Sequence, residues 1–238
     1  MRAMQECLRL RRMWSFGLWL FLVPCVLNAQ SEPGFDLRLR LTLPVKGHAT
    51  FTPAVAWLKP LSQSLLLPFP PHKPYRLLQK NRTFAPHLLV IPVGSTVDFP
   101  NADPFFHNVF SLFDGKRFDL GLYEAGSDKQ VVFSREGVSY IFCNIHPEMS
   151  AVVVALSTPL YGGADSSESV TIHGVPAGDY TLNIWVEGVP QVALSGLTRR
   201  IHIGGSTDLG EISIPVAPAL GHTNKYGGKY DTTPKPQY

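Results

Sequence analysis

The distribution of proline and glycine constrains the fold of this chain more than any other feature. The 21 Pro and 20 Gly residues are scattered between short apolar stretches, and no heptad or 3.6-residue periodicity runs through the chain. Proline disrupts helices and the interiors of sheets, whereas short apolar stretches between turns are typical of β-strands. The sequence therefore predicts an all-β protein.

Periodicity places several of these strands. From Asp36 to Leu43 a leucine at every second position alternates with Arg or Thr, which indicates a strand with one buried face. Residues Ala151 to Leu156 are apolar throughout, as in a central strand that is buried on both faces. The segment from Gln63 to Tyr75 contains four prolines and is predicted to be a loop.

The first 29 residues have the pattern of a secretory signal peptide. A basic start is followed by an apolar run from Met13 to Leu27 and by a small residue, Ala29, after which we expect cleavage. The alternative is a retained membrane anchor, but the apolar run is short and interrupted. We therefore expect an exported protein, periplasmic or secreted, with no membrane span in the mature chain.

Cleavage at this point leaves a single cysteine. Cys7 and Cys25 belong to the signal peptide, so only Cys143 remains, and no disulfide within the chain is possible. A lone thiol is a liability in an oxidising compartment unless a metal holds it as the thiolate. The cysteine pattern therefore favours a metal ligand.

Charge gives no indication of a nucleic acid or an anionic membrane as partner. The signal peptide carries four Arg and one Glu, so the 21 basic and 18 acidic residues of the whole chain fall to 17 of each. A neutral balance does not provide the electrostatic attraction on which such partners depend.

Metal-binding residues cluster around this cysteine. The segment Cys143-Asn-Ile-His146-Pro-Glu148-Met149 follows a predicted strand, and His107 lies 36 residues before Cys143 at another strand and loop. A thiolate, two imidazoles and a weak axial thioether suit copper, whereas Zn²⁺ prefers a tetrahedral site without a long axial sulfur. We predict one copper ion, held by His107, Cys143, His146 and Met149. Glu148 is the alternative axial ligand.

This motif resembles that of the cupredoxins, the blue-copper family that includes plastocyanin and amicyanin. The similarity rests on His107-Asn108-Val109, on Cys143-x-x-His146-x-x-Met149, whose compact spacing is most similar to amicyanin, and on the strand Gly94 to Phe99. It covers roughly residues 84 to 157. The resemblance implies a Greek-key β-sandwich with a type 1 copper site at one end and single-electron transfer as the function.

Further roles are expected for residues near these ligands. His146, on the loop, should be the more exposed histidine and the point where electrons enter and leave. Asn108 should brace the ligand loops by hydrogen bonding. Asp98, Asp103 and Asp114 lie in turn-rich contexts and are interpreted as turn formers.

Four segments are predicted along the chain. They are the signal peptide (1–29), a cupredoxin-like copper domain (30–157, core 84–157), a small second β-sandwich (158–215) and a flexible tail (216–238). The second sandwich resembles carboxypeptidase-regulatory or transthyretin-like domains in its Pro176-x-Gly178-x-Tyr180 pattern. With about 55 residues its own core is marginal, so we expect it to pack against the copper domain.

The sequence thus predicts an exported type 1 copper protein that carries single electrons between redox proteins, a donor and an acceptor of unknown identity, and that is not an enzyme. One alternative is a copper protein for delivery or sensing without electron transfer. Another is an enzyme in which His146 activates Cys143 as a nucleophile.

Overall fold

The computed structural model describes residues 34–42, 52–71, 74–112, 115–216 and 224–229. Within these ranges nearly all regular structure is β, which confirms the predicted all-β class. The elements in chain order are β1 (Phe35–Thr42), β2 (Ala54–Pro60), a 3-10 turn (Gln63–Leu65), β3 (Tyr75–Arg76), β4 (Leu78–Lys80), β5 (Thr83–Ala85), β6 (Leu88–Pro92), β7 (Ser95–Asp98), β8 (His107–Ser111), β9 (Phe118–Tyr123), β10 (Gln130–Phe133), β11 (Gly137–Cys143), β12 (Ser150–Leu156), β13 (Tyr161–Gly163), β14 (Ser169–Val175), β15 (Gly178–Val186), α1 (Gln191–Ser195), β16 (Arg199–Ile203) and β17 (Thr207–Ser213).

A five-stranded sheet, which we call the central sheet, organises the molecule. Its strand order is β6-β12-β11-β8-β9. The pair β12 and β6 is parallel, and the other neighbours are antiparallel. Every residue of β12 after Ser150 is buried, so the sheet is covered on both faces at its middle.

The two faces of the central sheet belong to two different hydrophobic cores. Along β12, Ala151, Val153 and Ala155 face what we call the front core. The alternate residues Val152, Val154 and Leu156 face what we call the back core. A strand buried on both faces carries apolar residues without alternation, which explains the continuous apolar run seen in the sequence.

The front core lies between the central sheet and the sheet β10-β7-β3. Its fully buried residues come from both sheets and include Val97 of β7, Phe133 of β10 and Ile141 of β11. The front core is therefore the interior of a β-sandwich.

The back core is shared by the central sheet and two further sheets, with strand orders β14-β1-β17 and β13-β2-β15-β16. Tyr180 and Trp185 of β15 are its largest fully buried side chains. The indole of Trp185 donates to the hydroxyl of Tyr140 in β11 at 3.0 Å. The strands that follow residue 157 thus pack directly on the central sheet.

Strands β1 and β2 pair with strands from the C-terminal part of the chain. The sequence analysis placed them in the copper domain, residues 30–157. In the structure β1 pairs with β14 and β17, and β2 pairs with β13 and β15, all of which follow residue 157. Alternating residues identify a strand and its buried face, but they carry no information about its partner.

Some sequence predictions fall wholly or partly outside the described residues. The signal peptide, 1–29, lies outside them, and of the predicted tail only 216 and 224–229 are described. Among the described residues, no helix is long and apolar enough to cross a membrane.

Candidate metal centre

Strand pairing brings His107 and Cys143 to the same end of the central sheet. His107 is the first residue of β8 and Cys143 is the last residue of β11. The two strands are antiparallel neighbours, with Cys143 opposite Val109. Because antiparallel strands run in opposite directions, the start of one lies beside the end of the other.

The loop after Cys143 folds back on itself and delivers His146. The amide of Cys143 donates to the carbonyl of Met149 at 3.1 Å, and the amide of Met149 donates to the carbonyl of His146 at 3.0 Å. The amide of Asn144 donates to the carbonyl of Asn108 at 3.3 Å, which ties this loop to β8. Main-chain hydrogen bonds therefore fix the conformation of the loop from Cys143 to Met149.

Three predicted ligands converge. Cys143 Sγ lies 3.7 Å from His107 Nδ1 and 3.6 Å from His146 Nδ1. The three candidate donor atoms all lie within 4.8 Å of one another. Bonds of roughly 2.0 Å to nitrogen and 2.3 Å to sulfur separate two donors by about 3.5–3.7 Å at angles between tetrahedral and trigonal. The spacing fits one metal ion bound by all three residues, and the mixed thiolate and imidazole donors fit copper.

The environment of the three donors differs in exposure. Cys143 and His107 are fully buried, and His146 is partly exposed. Burial lowers the pKa of His146, and the neighbouring His107 and Arg82 lower it further. A lowered pKa favours the neutral imidazole, which is the form that binds a metal.

Met149 and Glu148 point to different surroundings. Met149 is fully buried and belongs to the front core together with Cys143. Glu148 is exposed. The thioether therefore lies on the interior side of the loop, and the carboxylate lies on the solvent side.

Asp103 is a site residue that the sequence analysis missed, because it was interpreted only as a turn former. Its carboxylate accepts a hydrogen bond from His107 Nε2 at 2.9 Å and is 5% exposed. Burial raises the pKa of Asp103, but hydrogen bonds from Arg82 N, His107 and Asn81 N outweigh burial, so that its pKa lies below the usual value. The available signal was the position of an acid four residues before a candidate ligand.

Phe105 is a second residue that the sequence analysis did not single out. Its ring centroid lies 5.3 Å from that of His107 and 5.6 Å from that of His146. The guanidinium of Arg82 lies 5.3 Å from the centre of the Phe105 ring. This aromatic side chain therefore packs against both imidazoles.

Asn108 braces the site differently from the prediction. Its main-chain carbonyl accepts from the ligand loop, as described above, whereas its side-chain amide donates to Asp119 Oδ1 at 2.7 Å. Asp119 also accepts from Lys225 Nζ at 2.9 Å, and the amide of Lys225 donates to Asn144 Oδ1 at 3.0 Å. The residues 224–229 thus contact the ligand loop and β9.

Comparisons with known proteins found similarity among solved structures alone. No family model and no curated protein matches the chain. A purple cupredoxin from Nitrosopumilus maritimus is 29% identical over 34% of this chain and 99% of its own, with a TM-score of 0.32. The copper-containing nitrite reductase NirK from Thermus scotoductus SA-01 is 24% identical over 41% of this chain and 27% of its own, with a TM-score of 0.34. Amicyanin from Paracoccus versutus is 21% identical over 36% of this chain and 84% of its own, with a TM-score of 0.33.

These similarities cover less than half of the chain. They leave the predicted resemblance of residues 158–215 to carboxypeptidase-regulatory domains as a prediction. Function is therefore inferred from the donor atoms of this chain itself.

Proposed function

We propose that this protein binds one copper ion in a type 1 site and carries single electrons between redox partners. His107, Cys143 and His146 would hold the metal, and Met149 would supply a fourth, weaker sulfur donor. The observation that carries the proposal is the pair of sulfur-to-nitrogen distances, 3.7 and 3.6 Å, which join the buried thiol to two imidazoles. Bound copper supplies a one-electron exchange between Cu(I) and Cu(II).

The donor set supports copper over zinc. Beyond one thiolate and two imidazoles, Met149 is buried on the interior side of the loop and is the proposed fourth ligand, whereas Glu148 is exposed. A long thioether contact is characteristic of electron-transfer copper sites, whereas structural zinc sites complete a tetrahedron with a strong fourth ligand.

Contacts within the protein fix the candidate ligands in place. His107 is fixed by Asp103, the ligand loop is closed by main-chain hydrogen bonds, and Phe105 packs on both imidazoles. Ligands that are held by packing and hydrogen bonds move little when the metal changes charge. A small rearrangement favours rapid electron transfer in both directions.

His146 is the proposed route for electrons because it is the partly exposed ligand. The proposed donor and acceptor are redox proteins, and export to a periplasmic or extracellular location is part of the proposal. The protein is proposed to be a carrier and not an enzyme, since the metal occupies the thiolate that a nucleophilic mechanism would need.

The test is a visible and paramagnetic-resonance spectrum of the copper-loaded chain that begins at residue 30. We expect an intense visible band, because a copper–thiolate bond mixes strongly. Cys143→Ser should abolish the band, and Met149→Leu should only shift it. His202→Gln is the matched control, because His202 is 70% exposed and pairs with Asp179 on another sheet. A colourless wild-type protein under copper excess would overturn the proposal.

Rapid-mixing experiments separate electron transfer from copper delivery. A carrier should be reduced and reoxidised by redox proteins without losing its metal, whereas a delivery protein should pass copper to a chelator or partner readily. Alkylation tests the enzyme alternative, because a copper-bound Cys143 should resist iodoacetamide and a catalytic thiolate should react.

A further inference from the structure

The contact between Asp103 and His107 determines which nitrogen of that imidazole carries the proton. A neutral imidazole has one protonated nitrogen and one free lone pair. Asp103 Oδ2 lies 2.9 Å from Nε2, and an ionised carboxylate only accepts hydrogen bonds. Nε2 must therefore carry the proton, which leaves the lone pair on Nδ1, the atom that lies 3.7 Å from Cys143 Sγ.

Asp103 is itself held rigidly. Asn81 N donates to Asp103 Oδ1 at 2.6 Å, and Arg82 N donates to Oδ2 at 3.0 Å. The amide of Asp103 donates to Asn101 Oδ1 at 3.0 Å. Two main-chain donors stabilise the ionised carboxylate, so a fixed negative charge stands behind His107.

This charge acts through a buried medium. His107 is 0% exposed and Asp103 is 5% exposed, so water screens their interaction poorly. A carboxylate that accepts from the outer nitrogen of a ligand histidine increases the basicity of that ligand. It also stabilises the doubly charged metal more than the singly charged one.

We propose that Asp103 is a positioning and tuning residue, which fixes the Nε2–H form of His107 and lowers the reduction potential of the bound copper. This inference rests on the proposed copper function. The alternative role is structural only, in which Asp103 merely anchors the turn at residues 81 and 82.

The decisive variant is Asp103→Asn, which keeps the size of the side chain and an acceptor oxygen but removes the charge. We expect Cu(II) to bind 10- to 100-fold more weakly, as is found when such partners of metal-bound histidines are changed. Cu(I) should lose less, so that the preference for Cu(I) over Cu(II) increases by about tenfold, which is about 59 mV in potential for one electron. Potential and affinity are measured by redox titration and by chelator competition.

Asp119→Asn is the matched control. It also removes a carboxylate near the site, but that carboxylate contacts Asn108 and Lys225 and no ligand ring. We expect the change in Cu(I) preference to be at least threefold smaller than in Asp103→Asn. Equal shifts in both variants would overturn the proposal, because they would indicate a general effect of charge.

A measurement on the metal-free wild-type protein needs no variant. The ¹⁵N spectrum of His107 should show a protonated Nε2 and an unprotonated Nδ1, with an Nε2 proton that exchanges slowly with water. The opposite form, or a mixture, would overturn the inference even if Asp103→Asn fails to fold. A wild-type protein that binds no copper would overturn the proposed function, whereas normal copper binding with an unchanged potential in Asp103→Asn would overturn this inference alone.

Discussion

His87 links the central sheet to the strands of the back core through charge. It precedes β6, its Nδ1 lies 3.1 Å from the carbonyl oxygen of Ser150, and its Nε2 lies 2.6 Å from Glu187 Oε1, just after β15. The hydrogen bond to Glu187 raises the pKa of His87, against the opposing effect of burial. The folded protein therefore holds a proton at His87 more tightly than the unfolded chain does.

A raised pKa fixes the sign of the pH dependence. The stabilisation from His87 is fully present below the ordinary value of 6.5 and is lost as the pH rises through the folded-state pKa. We predict that His87→Gln lowers the free energy of unfolding more at pH 5.5 than at pH 8.5. The difference should be at most about 1 kcal/mol, because both side chains are partly exposed.

Urea unfolding at the two pH values measures this effect. Glu187→Gln is the control and should remove the same pH-dependent part of the free energy of unfolding. Adding His87→Gln to this variant should then change the pH dependence little. If stability varies with pH in the same way for wild type and His87→Gln, the pair of His87 and Glu187 contributes nothing to the pH dependence of stability.

At the residue scale, the sequence predicted the candidate ligands but not what supports them. Cys143, His146 and His107 could be recognised because thiol and imidazole groups are rare and their spacing is informative. Asp103 could not be assigned, since aspartate is common in turns and its contact with His107 depends on how the loop closes. Phe105 could not be assigned either, because its contact with the two imidazoles also depends on how the loop closes.

At the element scale, the segment 224–229, which lies in the predicted tail, makes specific contacts. It forms a turn in which the amide of Gly227 donates to the carbonyl of Asn224 at 2.9 Å. Lys225 contacts both Asn144 and Asp119. A composition poor in aliphatic residues predicts flexibility, but such a composition does not reveal anchoring by main-chain hydrogen bonds.

We predict that a chain ending at residue 216 has a looser ligand loop. Without Lys225, Asn144 loses the hydrogen bond that holds it beside the fully buried Cys143. In the metal-free protein, iodoacetamide should therefore modify Cys143 severalfold faster than in the full chain. The free energy of unfolding should change by less than about 1 kcal/mol, since the lost contacts are partly exposed to water.

Lys225→Ala separates the two contacts of this segment, because it removes the ion pair with Asp119 and keeps the main-chain amide. In this variant, iodoacetamide should modify Cys143 at nearly the same rate as in the full chain. Equal alkylation rates for truncated and full-length protein would mean that the segment does not restrain the loop.

The strands themselves were easier to predict than their partners. The alternating leucines predicted β1, and the continuous apolar run predicted β12. The pairing of β1 with β14 and β17 joins residues more than 100 positions apart. Nothing local in a strand encodes such a partner, so the predicted domain boundaries followed the order of the chain.

At the scale of the whole molecule, the central sheet couples two cores. Both Trp residues that follow the predicted signal peptide, Trp57 and Trp185, belong to the back core. The candidate ligands Cys143 and Met149 belong to the front core. Tryptophan fluorescence therefore reports on the back core, whereas a metal held by the candidate ligands would act on the front core.

We predict that Cu(I) raises the unfolding midpoint measured by tryptophan fluorescence. A ligand that binds only the folded state at about 100 times its Kd adds about 2.7 kcal/mol of stability. That gain should reach the tryptophans because Val152, Val154 and Leu156 connect the central sheet to the back core. Cys143→Ser should show no such gain.

Fluorescence and circular dichroism during urea unfolding provide the measurement, and their transitions should coincide. If bound Cu(I) leaves the midpoint of the tryptophan fluorescence transition unchanged, the two cores unfold independently.

The shared central sheet also limits how this protein can be divided. A gene fragment encoding only residues 84–157 would carry every candidate ligand, yet it would expose Val152, Val154 and Leu156, which are at most 2% exposed in the intact molecule, to water. Recombination that moves the stretch with the candidate ligands into another protein must also supply an apolar surface to cover those three positions, or polar substitutions at them. The part of the chain that must stay together is therefore larger than the stretch that contains the candidate ligands.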